Sequence, residues 1–129
     1  MRRKILFLLS VVVLTACSTC KVEKSTSIHE IQFGNGGGFT GIVTSYSLKS
    51  NGILLKEGKK ISKLSCDSLE AIFEIAEQLP KENFVHPNNT YSFIKVFSDG
   101  KTYYYSWSCG NMVPHEKIID LHNKLMRQL

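Results

Sequence analysis

The sequence predicts an α+β domain in which a mainly antiparallel sheet of five or six strands carries two helices packed on one face. Three observations predict this fold class. Short stretches alternate apolar and polar residues and end in Asn-Gly, Glu-Gly or Asp-Gly pairs, as hairpin strands do. Two longer stretches repeat apolar residues every three or four positions, as amphipathic helices do. The order along the chain is strands, helix, strands, helix.

Strands in the first half of the domain follow from period-two alternation broken by turn residues. Residues 28–33 and 40–48 alternate, and a glycine-rich stretch separates them. Asn51-Gly52 favours a two-residue type I′ hairpin, because both central positions of that turn need positive φ. Glu57-Gly58 gives a second turn. These signals predict strands over 28–33, 40–48, 53–56 and 60–64.

Two helices are predicted in the second half of the domain. Asp67 and Glu70 have the spacing of a capping box at the start of the first helix, and Pro80 ends it. Pro114 suits the first turn of the second helix, where its missing N–H costs nothing. The apolar stripe of the first helix contains Leu69, Ile72, Phe73, Ala76 and Leu79, and that of the second contains Ile118, Leu121, Leu125 and Leu129.

An aromatic-rich hairpin lies between the two helices. Asp99-Gly100 joins strands predicted over 91–98 and 101–108. Alternation places Tyr103, Tyr105 and Trp107 on one face, which we expect to pack on the helices. An exposed aromatic platform for a sugar or peptide is the alternative interpretation of the same residues.

The N-terminus carries a basic, then apolar, then small-residue pattern. Basic residues at 2–4 precede an apolar run that is too short to span a bilayer, and Leu14-Thr15-Ala16-Cys17 follows. This pattern resembles the lipobox of bacterial lipoprotein signal peptides. The resemblance implies cleavage before Cys17, a palmitate-type acyl anchor on Cys17, and a place in the bacterial cell envelope. Ser18 resembles the sorting signal for the outer membrane. An uncleaved anchor helix with a reactive cysteine is the alternative.

Cleavage would divide the chain into a removed signal peptide (1–16), a polar tether (17–26) and a single domain (27–129). The formal charge of +5 would fall to +2, because three of the 16 basic residues lie in the signal. Such a charge gives no case for nucleic-acid binding. The local lysine cluster, Lys56, Lys59, Lys60 and Lys63, is typical of an edge strand protected against aggregation.

Three cysteines would remain unacylated in a compartment that permits disulfides. We predict a Cys66–Cys109 disulfide, with Cys20 left in the tether; two small buried thiols are the alternative. No Cys-x-x-Cys pair lies in the domain and the histidines are scattered, so we expect neither a metal nor another cofactor.

The glycine-rich stretch 36–41 fits the nucleotide-binding pattern G-x-G-x-x-G, but a strand follows it where that site needs a helix. It is interpreted as a turn or as a ligand loop, with Gly36, Gly37, Gly38, Phe39 and Thr40 as candidate binding residues. From residue 36 onward the chain resembles the emfourin-type inhibitors of thermolysin-like metallopeptidases. The resemblance includes a Gly-Gly-Phe-Thr-Gly turn, Leu79-Pro80, the Asp99-Gly100 hairpin and a Pro114-initiated helix. It implies a protein partner, with a peptidase as one possibility.

We therefore expect a lipid-anchored, non-enzymatic protein-binding module, with a protease inhibitor as its most specific form. Two alternatives stay open. One is a small envelope hydrolase that uses Cys109 or Ser108 with one of the histidines His86, His115 or His122. The other is a purely structural envelope protein.

Overall fold

The computed structural model describes residues 20–110 and 112–129. The predicted signal peptide and Cys17 lie outside these residues. The described part is an α+β domain of three helices and seven strands, none of the helices being long and apolar enough to cross a membrane. The elements are α1 (Lys21–Ser25), β1 (Ile28–Gly37), β2 (Thr44–Lys49), β3 (Ile53–Lys56), β4 (Lys59–Lys63), α2 (Cys66–Glu77), β5 (Phe84–His86), β6 (Thr90–Ser98), β7 (Lys101–Trp107) and α3 (Glu116–Met126).

The seven strands form one sheet in the order β4-β3-β2-β1-β6-β7-β5. All neighbours are antiparallel except β5 and β7, which are parallel. The sheet is thus mainly antiparallel, as predicted. The predicted number of strands is too low, because β5 has only three residues and carries no alternation. The lysine-rich β4 lies at one edge, as its composition indicates.

The three hairpin turns agree to different degrees with the turn types predicted from their sequences. Glu57-Gly58 and Asp99-Gly100 have positive φ at both residues (49° and 80°, then 39° and 77°), as type I′ turns require. At the third turn only Gly52 has positive φ, and its N–H donates to the carbonyl oxygen of Lys49 at 2.9 Å. The Asn51-Gly52 hairpin therefore exists, but its turn is one residue longer than the predicted two-residue loop.

The hydrophobic core lies between one face of the sheet and the two long helices. Ile31 stands opposite Leu48 on one side and Val96 on the other, so the buried residues of three strands share a face. Tyr105 is buried on that face, and Tyr103 and Trp107 pack at its margin, as alternation predicts. The helices contribute Leu69, Ile72, Phe73, Ala76, Ile118, Leu121 and Leu125. Leu129, predicted to continue the stripe, is half exposed because the helix ends before it.

The opposite face of the sheet is polar around β1 and β2. Glu30 accepts hydrogen bonds from Lys49 Nζ at 2.6 Å, from Gln32 Nε2 at 3.1 Å and from Ser47 Oγ. Partial burial raises the pKa of Glu30, but these hydrogen bonds outweigh it and the pKa lies below its ordinary value.

Both helix starts differ from the predicted ones. Helix α2 begins at Cys66, and its cap is Ser65, whose Oγ accepts from the Ser68 N–H at 3.3 Å. The predicted cap, Asp67, lies in the first turn instead, where its charge suits the positive end of the helix dipole. Helix α3 begins after His115, whose Nδ1 accepts from the Lys117 N–H at 3.2 Å.

The disulfide joins Cys20 to Cys66, and the predicted Cys66–Cys109 pair is wrong because Cys109 is exposed and free. The segment 20–26, predicted as part of a polar tether, is instead packed on the domain. Within it α1 contacts α2, and Val22 is buried in the core. The folded unit therefore includes residues 20–26, which the sequence pattern predicts as tether.

Candidate binding site at the loop end of the sheet

The glycine-rich segment is strand rather than loop over most of its length. Strand β1 continues to Gly37, which stands opposite Thr90, while Gly36 is buried opposite Tyr91. A Cβ on Gly36 would press on the Tyr91 ring, and one on Gly37 would collide with the carbonyl oxygen of Asn89. Close packing thus explains these two glycines. The predicted loop is strand at these positions, while their role as binding residues stays a prediction.

The connection between β1 and β2, residues 38–43, is the exposed part of the predicted site. Gly38 N–H donates to the Asn89 carbonyl oxygen, and Gly41 N–H donates back to the Gly38 carbonyl oxygen at 3.1 Å. Phe39 is fully exposed, and Thr40 is exposed as well. The predicted residues Gly38, Phe39 and Thr40 therefore lie at an accessible tip.

Further apolar side chains are exposed at the same end of the sheet. Ile42 is 67% and Val43 46% exposed beside Phe39, and Met112 and Val113 are 59% and 77% exposed between β7 and α3. Ile42 and Val43 belong to the predicted strand 40–48, but β2 begins only at Thr44 and leaves them in the connection. Met112 and Val113 fall between elements and belong to no period. We call residues 38–43, 108–110 and 112–115, together with the cleft described below, the loop end.

Strand register explains why these loops are neighbours. Asn35, near the end of β1, stands opposite Ser92 at the start of β6, and Ser92 stands opposite Trp107 at the end of β7. Ser92 Oγ also donates to Asn35 Oδ1 at 2.9 Å. The chain leaving β1 and the chain leaving β7 are thereby held at one end of the sheet.

A cleft of about 540 Å³ lies between the ends of these strands and the start of α3. Its walls are largely apolar and include Tyr91, Trp107, Met112, Val113, Pro114 and Ile119. The polar contribution includes Asn35 and the backbone at Gly36. Such a concave, mainly apolar surface with few polar groups suits an apolar side chain from a ligand or partner.

The candidate nucleophiles of the hydrolase alternative also line this cleft. Ser108 Oγ accepts a hydrogen bond from the Asn88 N–H at 2.7 Å and donates to the Thr90 carbonyl oxygen. This hydroxyl therefore fixes the β5–β6 connection. Cys109 is an exposed thiol.

The histidines predicted as partners of these nucleophiles are His115 at the start of α3, His122 within α3 and His86 in β5. His115 Nδ1 caps α3. His86 stands in β5, with its ring 4.6 Å from that of Phe84 and its Cα in register with Trp107. No group of three or more His, Cys, Asp or Glu side chains within 20–110 and 112–129 is arranged to hold a metal ion.

His122 connects α3 to the central strand beneath the cleft. Its Nε2 lies 3.3 Å from the carbonyl oxygen of Gly34, and its ring meets Trp107 edge to face with centroids 5.2 Å apart. Burial lowers the pKa of His122, and the backbone hydrogen bond offsets part of that effect. The neutral imidazole thus packs as part of the structure that supports Trp107.

Comparisons with protein-family models, with curated proteins and with solved structures find no match to this chain.

Proposed function

We propose that this protein is a lipid-anchored lipoprotein of the bacterial envelope, a non-enzymatic module whose loop end binds a protein partner. The observation that carries the proposal is the set of exposed apolar side chains at one end of the sheet. Met112 and Val113 line the apolar cleft, and Phe39, Ile42 and Val43 are exposed in the β1–β2 connection at the same end. Exposed apolar groups that cluster in this way are typical of interaction sites.

The energetic centre of the proposed interface is Phe39. Burying a fully exposed phenylalanine side chain contributes about 1.5–3 kcal/mol, and aromatic anchors of this kind dominate many interfaces. The strand that leads to it is closely packed at Gly36 and Gly37. A loop that leaves a rigid strand loses less conformational entropy on binding than a free segment does.

Among protein partners we favour a peptidase, and specifically a thermolysin-like metallopeptidase. The motif at 37–41 that resembles emfourin-type inhibitors begins at the last residue of β1, and its other four residues lie in the exposed connection that carries Phe39. The resemblance and the exposure thus point to the same residues. The anchor on Cys17 would hold such an inhibitor at the outer membrane.

The test compares two exposed apolar positions. Soluble protein 20–129 is immobilised as wild type, as Phe39→Ser and as Ile61→Ser; Ile61 lies on the edge strand β4 and is 48% exposed. We expect wild type and Ile61→Ser to retain the same envelope protein and Phe39→Ser to lose it. Equal retention by all three would refute the assignment of the loop end.

The peptidase class is tested by inhibition. We expect wild type and Ile61→Ser to inhibit a thermolysin-like metallopeptidase, and Phe39→Ser to weaken the inhibition at least about tenfold, which corresponds to about 1.4 kcal/mol. A partner captured through Phe39 without any effect on peptidases would keep the binding proposal and remove the inhibitor class.

The hydrolase alternative makes a different prediction for Cys109. A cysteine hydrolase loses its turnover in Cys109→Ala, whereas a binding module shows no turnover in wild type or in the variant. Ser108→Ala is less informative, because its hydroxyl holds Asn88 and Thr90.

A further inference from the structure

The position of the disulfide bears on how the domain meets the membrane. Cys20 and Cys66 have their Cα atoms 5.4 Å apart. Cys66 follows Leu64, whose N–H donates to the Gly52 carbonyl oxygen at 2.9 Å. The disulfide therefore lies beside the β2–β3 turn.

That turn is at the opposite end of the sheet from the loop end. In the β1–β2 pair, Lys49 stands opposite Glu30, whereas Thr44 stands opposite Asn35. Ten-residue β1 spans roughly 30 Å between the two ends, at about 3.3 Å per residue. We call the end with the β2–β3 and β6–β7 turns the turn end.

The length of chain before the disulfide is short. Cys17 precedes Cys20 by three residues, which reach at most about 11 Å. If the segment up to Ile28 were a free tether, its 11 residues would reach about 38 Å. The disulfide thus removes most of the freedom that a polar tether over residues 17–26 would have.

We propose that the Cys20–Cys66 disulfide holds the turn end next to the lipid bilayer, so that the loop end faces away from the membrane. This inference rests on the proposed acylation of Cys17. The turn end then contacts the lipid headgroups, and the protein partner binds the loop end roughly 30 Å farther from the membrane.

The side of the domain formed by α2 supports an upright arrangement. Glu74 and Glu77 are exposed towards the C-terminal end of α2, away from Cys66, and anionic headgroups repel these carboxylates. A domain lying on this side is therefore disfavoured, while a short link at the turn end is consistent with the chain length.

The test is energy transfer from the protein to headgroup-labelled lipid in phosphatidylcholine vesicles. The full acylated chain is labelled either on the native thiol of Cys109 at the loop end or, in a Cys109→Ala background, on Lys101→Cys at the turn end. Lys101 is the first residue of β7 and Cys109 lies two residues after its last, so the strand alone separates the two positions by about 20 Å. The same two labels are compared after Cys20→Ser and Cys66→Ser.

With the disulfide present we expect transfer from position 101 to be at least about twofold more efficient than from position 109, given the strand length. Without it the two efficiencies should converge. Vesicle flotation is measured first for every protein. A chain that does not float refutes the lipid anchor. A chain that floats but shows equal transfer from both positions refutes only the proposed orientation of the domain.

Discussion

Replacing Gly37 by alanine should damage the fold much more than replacing Gly41, although both glycines lie near the same loop. Gly37 has φ +82° and its Cβ would collide with the Asn89 carbonyl oxygen. Gly41 has φ +64° and no atom within 4 Å of the position of its Cβ. Comparing the two alanine variants therefore separates the cost of backbone strain from the cost of the collision with Asn89.

The magnitudes follow from these two terms. Left-handed backbone costs a residue with a Cβ about 1–2 kcal/mol, and both variants carry that cost. Forcing an extra methyl group into a packed site adds about 1–3 kcal/mol, which applies to Gly37 alone. We expect losses of about 1–2 kcal/mol for Gly41→Ala and about 2–5 kcal/mol for Gly37→Ala.

Urea unfolding followed by tryptophan fluorescence measures the difference, since Trp107 is the single tryptophan and packs beside the core. Thermal melts provide a second readout, at about 4 °C or more for each kcal/mol in a domain of this size. Equal free energies of unfolding for the two variants would show that the approach of β1 to Asn89 does not constrain residue 37.

Three further predictions concern the anchor, the disulfide and the buried histidine. Cys17→Ala should abolish incorporation of a fatty-acid analogue in metabolic labelling, and continued labelling of the variant would exclude Cys17 as the acylated residue. Cys20→Ser with Cys66→Ser should lower the free energy of unfolding by up to about 4 kcal/mol, because the bond closes a loop with a sequence separation of 46; no loss relative to Cys109→Ala would contradict the pairing. Burial lowers the pKa of His122 below its ordinary value of 6.5, so the unfolded chain binds this proton before the folded chain does, and the free energy of unfolding should fall as the pH drops through 6.5. His122→Gln should flatten this dependence in urea titrations, and an unchanged slope would refute the role of burial.

Elements with strong local signals could be predicted from the sequence. The Glu57-Gly58 and Asp99-Gly100 turns accept positive φ at both positions, so the strands on either side pair as expected. The apolar stripes of the two long helices likewise predict their buried sides. These features depend on residues that are close in the sequence, so a local sequence pattern is enough to predict them.

Features that depend on distant residues could not be predicted in the same way. β5 has three residues and pairs in parallel with β7, while the preceding chain is held by Tyr105, whose hydroxyl donates to the Pro80 carbonyl oxygen at 2.5 Å. Burial raises the pKa of Tyr105 to about 12, so the hydroxyl stays protonated as a donor. Nothing local to 84–86 indicates that pairing.

The disulfide pair and the strand through the glycines were both predicted wrongly, because each depends on contacts with distant residues. The polar sequence around Cys20 favours a tether, but the burial of Val22 against α2 brings Cys20 to Cys66. Glycines give no side-chain alternation, so the pattern of β1 ends before Gly34, whereas close approach of Tyr91 and Asn89 extends the strand. The sequence therefore identifies Phe39 as a candidate binding residue but gives no sign of Met112 and Val113, which are exposed at the same end of the sheet.

The central claim, that the loop end binds a protein partner, is tested most directly by photo-crosslinking in the intact envelope. A photoreactive amino acid replaces Phe39 in one strain and Ile61 in another; both side chains are exposed, but only Phe39 belongs to the loop end. We expect a discrete crosslinked protein from position 39 and none from position 61. No adduct at position 39, or the same adduct from both positions, would contradict the account.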